Sequence, residues 1–311
     1  MKRTVLLASW FDLGKKCKNP WSIILLAFLV IFPLGDTGLA TAAEPSSQNG
    51  PTPDYSWQVG VAPTYTSGKY GTDSRTNIFY VPFSVKRLFR DGDITLVIPY
   101  VSIEGTGAVR LVGGVGTRTS KTQGGGNGAS SSGTGKGKKV TDTPQNTAST
   151  ASGLGDLILR GRYYLVEETS VVPLIAVTAR VKMPTADADA GLGTGQFDEG
   201  VGVEFTKKLS ERWTGFLDGG YTFIGNPEGV EFRNQWWYDI GAGYDVNKKV
   251  NLSLYYEEYR ALVTTVNNAR DLLFSALFKS TSALRCTGSF MVGLSNGAPN
   301  YGLTAGLSYR F

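Results

Sequence analysis

The sequence predicts an all-β chain that closes into a transmembrane, antiparallel up-and-down barrel of about twelve strands. Three observations predict it. Apolar and polar residues alternate with a period of two through most of the chain, the signature of strands with one apolar face. It is clearest at the end, where Tyr301, Leu303, Ala305, Leu307, Tyr309 and Phe311 alternate with Gly302, Thr304, Gly306, Ser308 and Arg310. Short and long connections alternate strictly, as tight periplasmic turns and longer outer loops do in bacterial outer-membrane barrels. Finally, the outward positions place aromatic residues at both strand ends around an aliphatic band, the pattern two membrane interfaces select.

Residues 1–43 read as a cleaved signal peptide, leaving residues 44–311 as the barrel. Lys2, Arg3, Lys15, Lys16 and Lys18 precede the apolar run Trp21 to Leu34, and small residues follow in "LATAAEP". That apolar run is too short for a membrane-spanning helix, which needs about 20 residues.

Strands are then expected near 56–66, 77–89, 93–104, 154–166, 170–183, 200–209, 212–225, 233–246, 249–263, 270–280, 283–294 and 300–311. The tight turns are "RDGD", "EETS", "LSER", "VNKK" and "STSA". With the first strand running outward, Trp57, Tyr163, Trp213, Tyr244, Phe278, Tyr309 and Phe311 form the periplasmic girdle. Phe79, Tyr100, Tyr221, Phe223, Trp236, Tyr238, Tyr256 and Tyr301 form the outer one. Val97, Leu273 and Leu277 fall on the lumen side. Glu258 and Arg260 fall outward after Tyr256, so the ninth strand leaves the membrane or bulges there. A secreted β-sandwich shares the alternation but not the loop asymmetry, the girdles or the aromatic terminus. Tyr309 and Phe311 also resemble the terminal assembly signal of outer-membrane barrels, which implies the barrel-assembly machinery as a partner. Outer-membrane lipid meets the apolar face.

The low-complexity stretch 105–152 is expected to be a solvated outer loop, removable over residues 110–150 without loss of assembly, with a folded-in plug as the alternative. Its lysines suit lipopolysaccharide phosphates. "GTGKGKK" within it lacks the spacing and the strand-to-helix context of a phosphate loop.

Composition removes whole function classes. The chain has no histidine, so histidine-dependent catalytic triads and histidine metal sites are excluded, and no cofactor and no enzymatic activity are expected. The net charge of +5 belongs to the signal segment and the 105–152 loop. What remains carries slightly more acidic than basic residues, so nucleic acid is not expected as a partner. Cys286 is the one cysteine after the signal segment, so no internal disulfide forms. Alternation places it outward with Leu284 and away from Arg285.

The candidate site is the lumen. Arg160, Arg162, Arg180 and Lys182 point inward from the fourth and fifth strands, and Glu204, Asp218 and Asp239 from the sixth, seventh and eighth. A basic wall thus adjoins an acidic one. Two readings stand: a ladder of ion pairs that fills the lumen, or a transverse field that orients polar solutes and sets ion selectivity.

Residues 153–209 resemble the outer-membrane transporter-like family named for the meta-pathway of phenol degradation. The carrying motifs are "GLGD" at Gly153 to Asp156, "MPT" at Met183 to Thr185 and "GLGTG" at Gly191 to Gly195. The resemblance implies a barrel for small molecules, hydrophobic or aromatic ones among them. The expectation is therefore a passive outer-membrane channel for a small-molecule solute, the alternative being a non-conducting barrel that anchors or presents binding loops.

Overall fold

The computed structural model describes residues 56–105, 107–112, 115–119 and 149–311. The expected signal segment 1–43 and residues 120–148 of the low-complexity loop lie outside them. The described chain is a closed antiparallel barrel of twelve staves, as the alternation requires.

Two staves are broken. The first consists of β1 (Trp57–Val61) and β2 (Thr64–Gly68), interrupted at Ala62 and Pro63. Proline cannot donate to a ladder, yet the neighbours keep their bonds across the gap: Ala62 N donates to Pro82 O at 3.3 Å and Ala305 N to Pro63 O at 3.0 Å. Next come β3 (Thr76–Phe89) and β4 (Gly92–Gly105). The fourth stave consists of β7 (Ser149–Leu154) and β8 (Leu157–Val166), parted at Gly155 and Asp156. One strand was expected there, beginning at 154. The break arises because Asp156 turns its carboxylate inward to accept from Ala186 N at 3.0 Å, while Gly155 N donates to Pro99 O at 2.8 Å.

The remaining staves are β9 (Leu174–Met183), β10 (Asp198–Lys208), β11 (Trp213–Ile224), β12 (Gln235–Asp245), β13 (Val250–Tyr259), β14 (Ala269–Lys279), β15 (Leu284–Gly293) and β16 (Tyr301–Arg310). The barrel closes where β16 pairs with both β1 and β2, in the registers Val59 opposite Tyr309 and Tyr65 opposite Leu303. Closure leaves no unpaired edge in lipid. Beyond the last strand, Ser56 N and Trp57 N both donate to Phe311 O, and the rings of Tyr309 and Phe311 stack outward at 6.3 Å.

The apolar face looks outward. Trp57, Tyr163, Trp213, Phe278, Tyr309 and Phe311 are exposed at one rim and Phe79, Tyr100, Tyr221, Phe223 and Tyr238 at the other, with Ile240, Leu252, Leu254, Leu303 and Leu307 between. Val97, Leu273 and Leu277 are buried inside. The chain is an outer-membrane barrel. Glu258 sits one residue before the end of β13, where Tyr238 and Tyr256 donate to it at 2.9 and 3.1 Å, Asn268 at 2.8 Å, and Arg270 pairs with it at 3.2 Å. Rim donors, not a bulge, accommodate this outward carboxylate, and Arg260 lies beyond the strand.

Cys286 stands between Phe278 and Leu307 in the outward register. It is expected to react with a membrane-soluble maleimide at least several times faster than with a charged one; the reverse preference would require a one-residue shift of β15.

The solvated-loop expectation fails for the part of 105–152 that is described beyond β4. There β5 (Val109–Val112) and β6 (Val115–Arg118) form a hairpin. Val109 and Leu111 join a buried cluster with Tyr70, Ile78, Tyr80, Val101, Ile103, Ala186 and Leu192. Val112 joins another with Ile224, Phe232, Leu262 and Val263. The hairpin therefore spans the outer mouth between walls that are distant in sequence, which is the folded-in constriction. Burying these apolar side chains, at about 1.5 to 3 kcal/mol each, outweighs the solvation that the flanking low-complexity sequence favours. Gly116 permits the fit, because a Cβ there would lie 2.5 Å from Ile78 and 3.1 Å from the Tyr70 hydroxyl. Burial pushes that hydroxyl, on the turn after β2, up to about 12, so it stays protonated and shares a hydrogen bond with Thr66 at 3.0 Å.

Candidate functional site

Strand pairing converts the lumen charges into two rows. Cross-strand partners share a face with their Cα atoms about 4.5 to 5.5 Å apart, so residues that are successive register partners form a continuous line around the wall. One line runs Glu204, Asp218, Asp239, Glu257, Asp271 across β10, β11, β12, β13 and β14. The other runs Arg180, Arg160, Thr95, Lys86, Gln58, Arg310 across β9, β8, β4, β3, β1 and β16. The seven predicted lumen residues all face inward, and each wall is longer than the sequence suggested. Because the strands are tilted, each row is also a ramp. The acidic row descends from Asp271, near the outer end of β14, to Glu204 at mid-height of β10. The basic row descends from Arg180, near the outer end of β9, to Arg310 at the periplasmic end of β16.

The two walls touch at mid-lumen. Arg162 reaches across the small residues of β9 to clasp Glu204 with both arms of its guanidinium, Nε to Oε2 at 2.7 Å and Nη2 to Oε1 at 3.0 Å, and Nη1 meets Asp93 at 3.3 Å. Such two-point clasps fix orientation as well as charge. Lys86 approaches the same Asp93 at 3.6 Å. Arg180 lies over Gly200, where a Cβ would be 3.1 Å from its side chain, and donates to Thr222 at 3.1 Å. Asp218 accepts from Phe205 N at 3.2 Å.

Lys182 does something different. It is 1 % exposed, pairs with Asp198 at 2.7 Å and Asp156 at 3.2 Å, and donates to Thr194 at 2.8 Å. Thr185 accepts from Leu157 N at 2.9 Å and donates to Gly155 O at 3.1 Å. A Cβ on Gly193 would lie 2.8 Å from the Asp156 carboxylate. The three sequence motifs thus converge on one clamp: Asp156 of "GLGD", Thr185 of "MPT" and Gly193 with Thr194 of "GLGTG" draw the β9–β10 loop over the mouth. Arg110 of the hairpin donates to Ala188 O and Gly193 O of that loop, both at 3.1 Å, and Arg118 bonds to Gly71 O. Lys182 is a loop anchor, with two carboxylates already beside it, rather than a lumen charge available to solute.

Sequence reasoning missed Glu257, Asp271, Asp93, Lys86 and Arg310. Parity could have found Glu257, which shares the inward face of β13 with Tyr255 and Tyr259.

Among comparisons with known proteins, no curated protein matches. Solved structures do. An outer membrane channel from Pseudomonas putida F1 superposes with a TM-score of 0.60 at 13% identity, over 86% of this chain and 99% of that chain. The NanC porin gives 0.46 at 10% identity, over 81% of this chain and 100% of its own. The P. putida toluene transporter TodX gives 0.42 at 10% identity, over 85% and 91%. The profile of one family covers residues 95–311, from within β4 through the acidic row, Arg160, Arg180 and Arg310 of the basic row, the loop clamp and the terminal strand, and by that match the chain belongs to the family described as MetA-pathway of phenol degradation.

Proposed function

We propose that the chain is a narrow, passive outer-membrane channel for small molecules, phenol-like aromatic solutes among them. The observation that carries this reading is the sorting of lumen charge into one acidic and one basic row. A lumen serving purely as a packed core has no need to segregate sign by half-barrel, since alternating charges neutralise one another at lower cost. Segregated rows impose a transverse field that orients a dipolar solute and biases ion passage. The aromatic class rests on the family's description and on Trp237, Tyr255 and Tyr259, which line the same lumen face.

The hairpin across the outer mouth favours a second reading, a barrel closed at rest whose outer loops bind. Single-channel recording in planar bilayers separates the two. Replacing Lys86, Arg160, Arg180 and Arg310 together by Gln is expected to shift the permeability ratio severalfold toward cations. An unchanged ratio would remove the selectivity role of the basic row, and absence of any conductance before and after would leave the closed barrel.

A further inference from the structure

We infer that the acidic row is a binding track for linear oligoamines, organic cations with ammonium groups spaced along a flexible chain. The row is a line, not a cluster: Glu204, Asp218, Asp239, Glu257 and Asp271 occupy five successive strands. Adjacent strands are about 4.8 Å apart, and ammonium groups joined by three or four methylenes are about 5 to 6 Å apart, so one chain meets consecutive carboxylates. Among the described residues, no group of His, Cys, Asp or Glu is arranged to hold a metal ion, which disfavours a compact divalent cation.

The row is also short of partners. Glu204 has Arg162, but among the described residues no cation lies within ion-pair distance of the other four. The Oδ1 atom of Asp239 is buried with no hydrogen-bond partner, and the carboxyls of Glu257 and Asp271 bond only to each other. Independently of the carboxylates, Tyr255 is 3 % exposed and sets its hydroxyl beside Ser253 and among Asp218, Asp239 and Glu257, with no cation among the described residues next to it. A protonated amine fills that gap, because it offers donors in several directions at once.

The wall between the carboxylates is aromatic and built to lie flat. A Cβ on Gly220 would lie 2.6 Å from the Trp237 ring and one on Gly202 would lie 3.0 Å from it, so these inward glycines give the indole its seat. Gly241 does the same for Tyr255, whose ring packs on Phe216 at 5.5 Å between centroids. Tyr259 pairs in register with Trp237 beside Glu257. Ring faces beside carboxylates attract alkylammonium groups by cation–π contact and pack their methylenes.

Calorimetric titration of the folded, detergent-solubilised protein tests the track whether or not the lumen conducts. Spermidine is expected to bind at least tenfold more tightly than n-butylamine or Mg²⁺. The triple substitution Asp239→Asn, Glu257→Gln and Asp271→Asn is expected to weaken spermidine at least tenfold. Equal affinity for spermidine and Mg²⁺, or unchanged affinity in the variant, would overturn the inference in favour of general surface charge attraction. Should the triple variant fail to fold, Asp239→Asn alone, a near-isosteric change at a partly buried position, is expected to weaken spermidine at least threefold, and no change there would equally overturn it.

Discussion

Lys182→Met is expected to destabilise the barrel by about 3 to 5 kcal/mol, the cost of breaking a buried ion pair from one side. Lys182 and Asp198 are each 1 % exposed and 2.7 Å apart, and Asp156 lies 3.2 Å away. Removing the ammonium leaves two buried carboxylates facing each other with the Thr194 hydroxyl and two backbone amides, Ala186 N to Asp156 and Gly225 N to Asp198, as local donors. Combining Lys182→Met with Asp156→Asn and Asp198→Asn is expected to recover most of the loss, since neutral amides remove the like-charge repulsion. Urea unfolding followed by gel mobility measures both. A single-variant loss below about 1 kcal/mol, the range of exposed pairs, would mean that the clamp is solvated. The β9–β10 loop should loosen together with it, because Thr194 loses its donor and the hairpin's Arg110 is held by the same loop.

Replacing residues 107–119 by a short Gly/Ser linker is expected to leave barrel assembly intact and to raise single-channel conductance severalfold. The hairpin contributes no stave, so the closed ladder survives its loss. What disappears is the material across the outer mouth: Val109 and Leu111 against Tyr80 and Val101, and Val112 against Ile224 and Leu262. Gly116→Leu provides the milder form, forcing the hairpin off Ile78 and Tyr70 without shortening the chain. Unchanged conductance in both would show that the narrowest point lies deeper, at the Arg162–Glu204 clasp. Failure of the linker variant to reach the membrane would show instead that the hairpin is needed during assembly.

The seven predicted lumen charges were legible because a strand's period of two assigns each side chain to a face without knowledge of its neighbours. The same logic, applied more consistently, yields Glu257 from the parity of Tyr255 and Tyr259. The hairpin also left a signal, since two short runs, Val109 to Val112 and Val115 to Arg118, flank a Gly-Gly dipeptide of the kind that closes two-residue turns. The Gly/Ser/Thr-rich surroundings masked it, and nothing local says that its apolar side chains have a barrel mouth to fill.

By itself the sequence determined the all-β class, the twelve staves, the outward girdles and the inward face of the seven charges it singled out, all consequences of local alternation and of loop length. Register and closure decided the rest. Which carboxylate stands beside which, that Arg162 reaches Glu204 over β9, that Lys182 is held between Asp156 and Asp198, and that the charges form two ramps are facts about strands offset by fixed amounts. An offset is set by the summed pairing of whole strands and by the requirement that the last strand meet the first. No single segment carries that information, so it exists in the closed barrel and not in the period of any one strand.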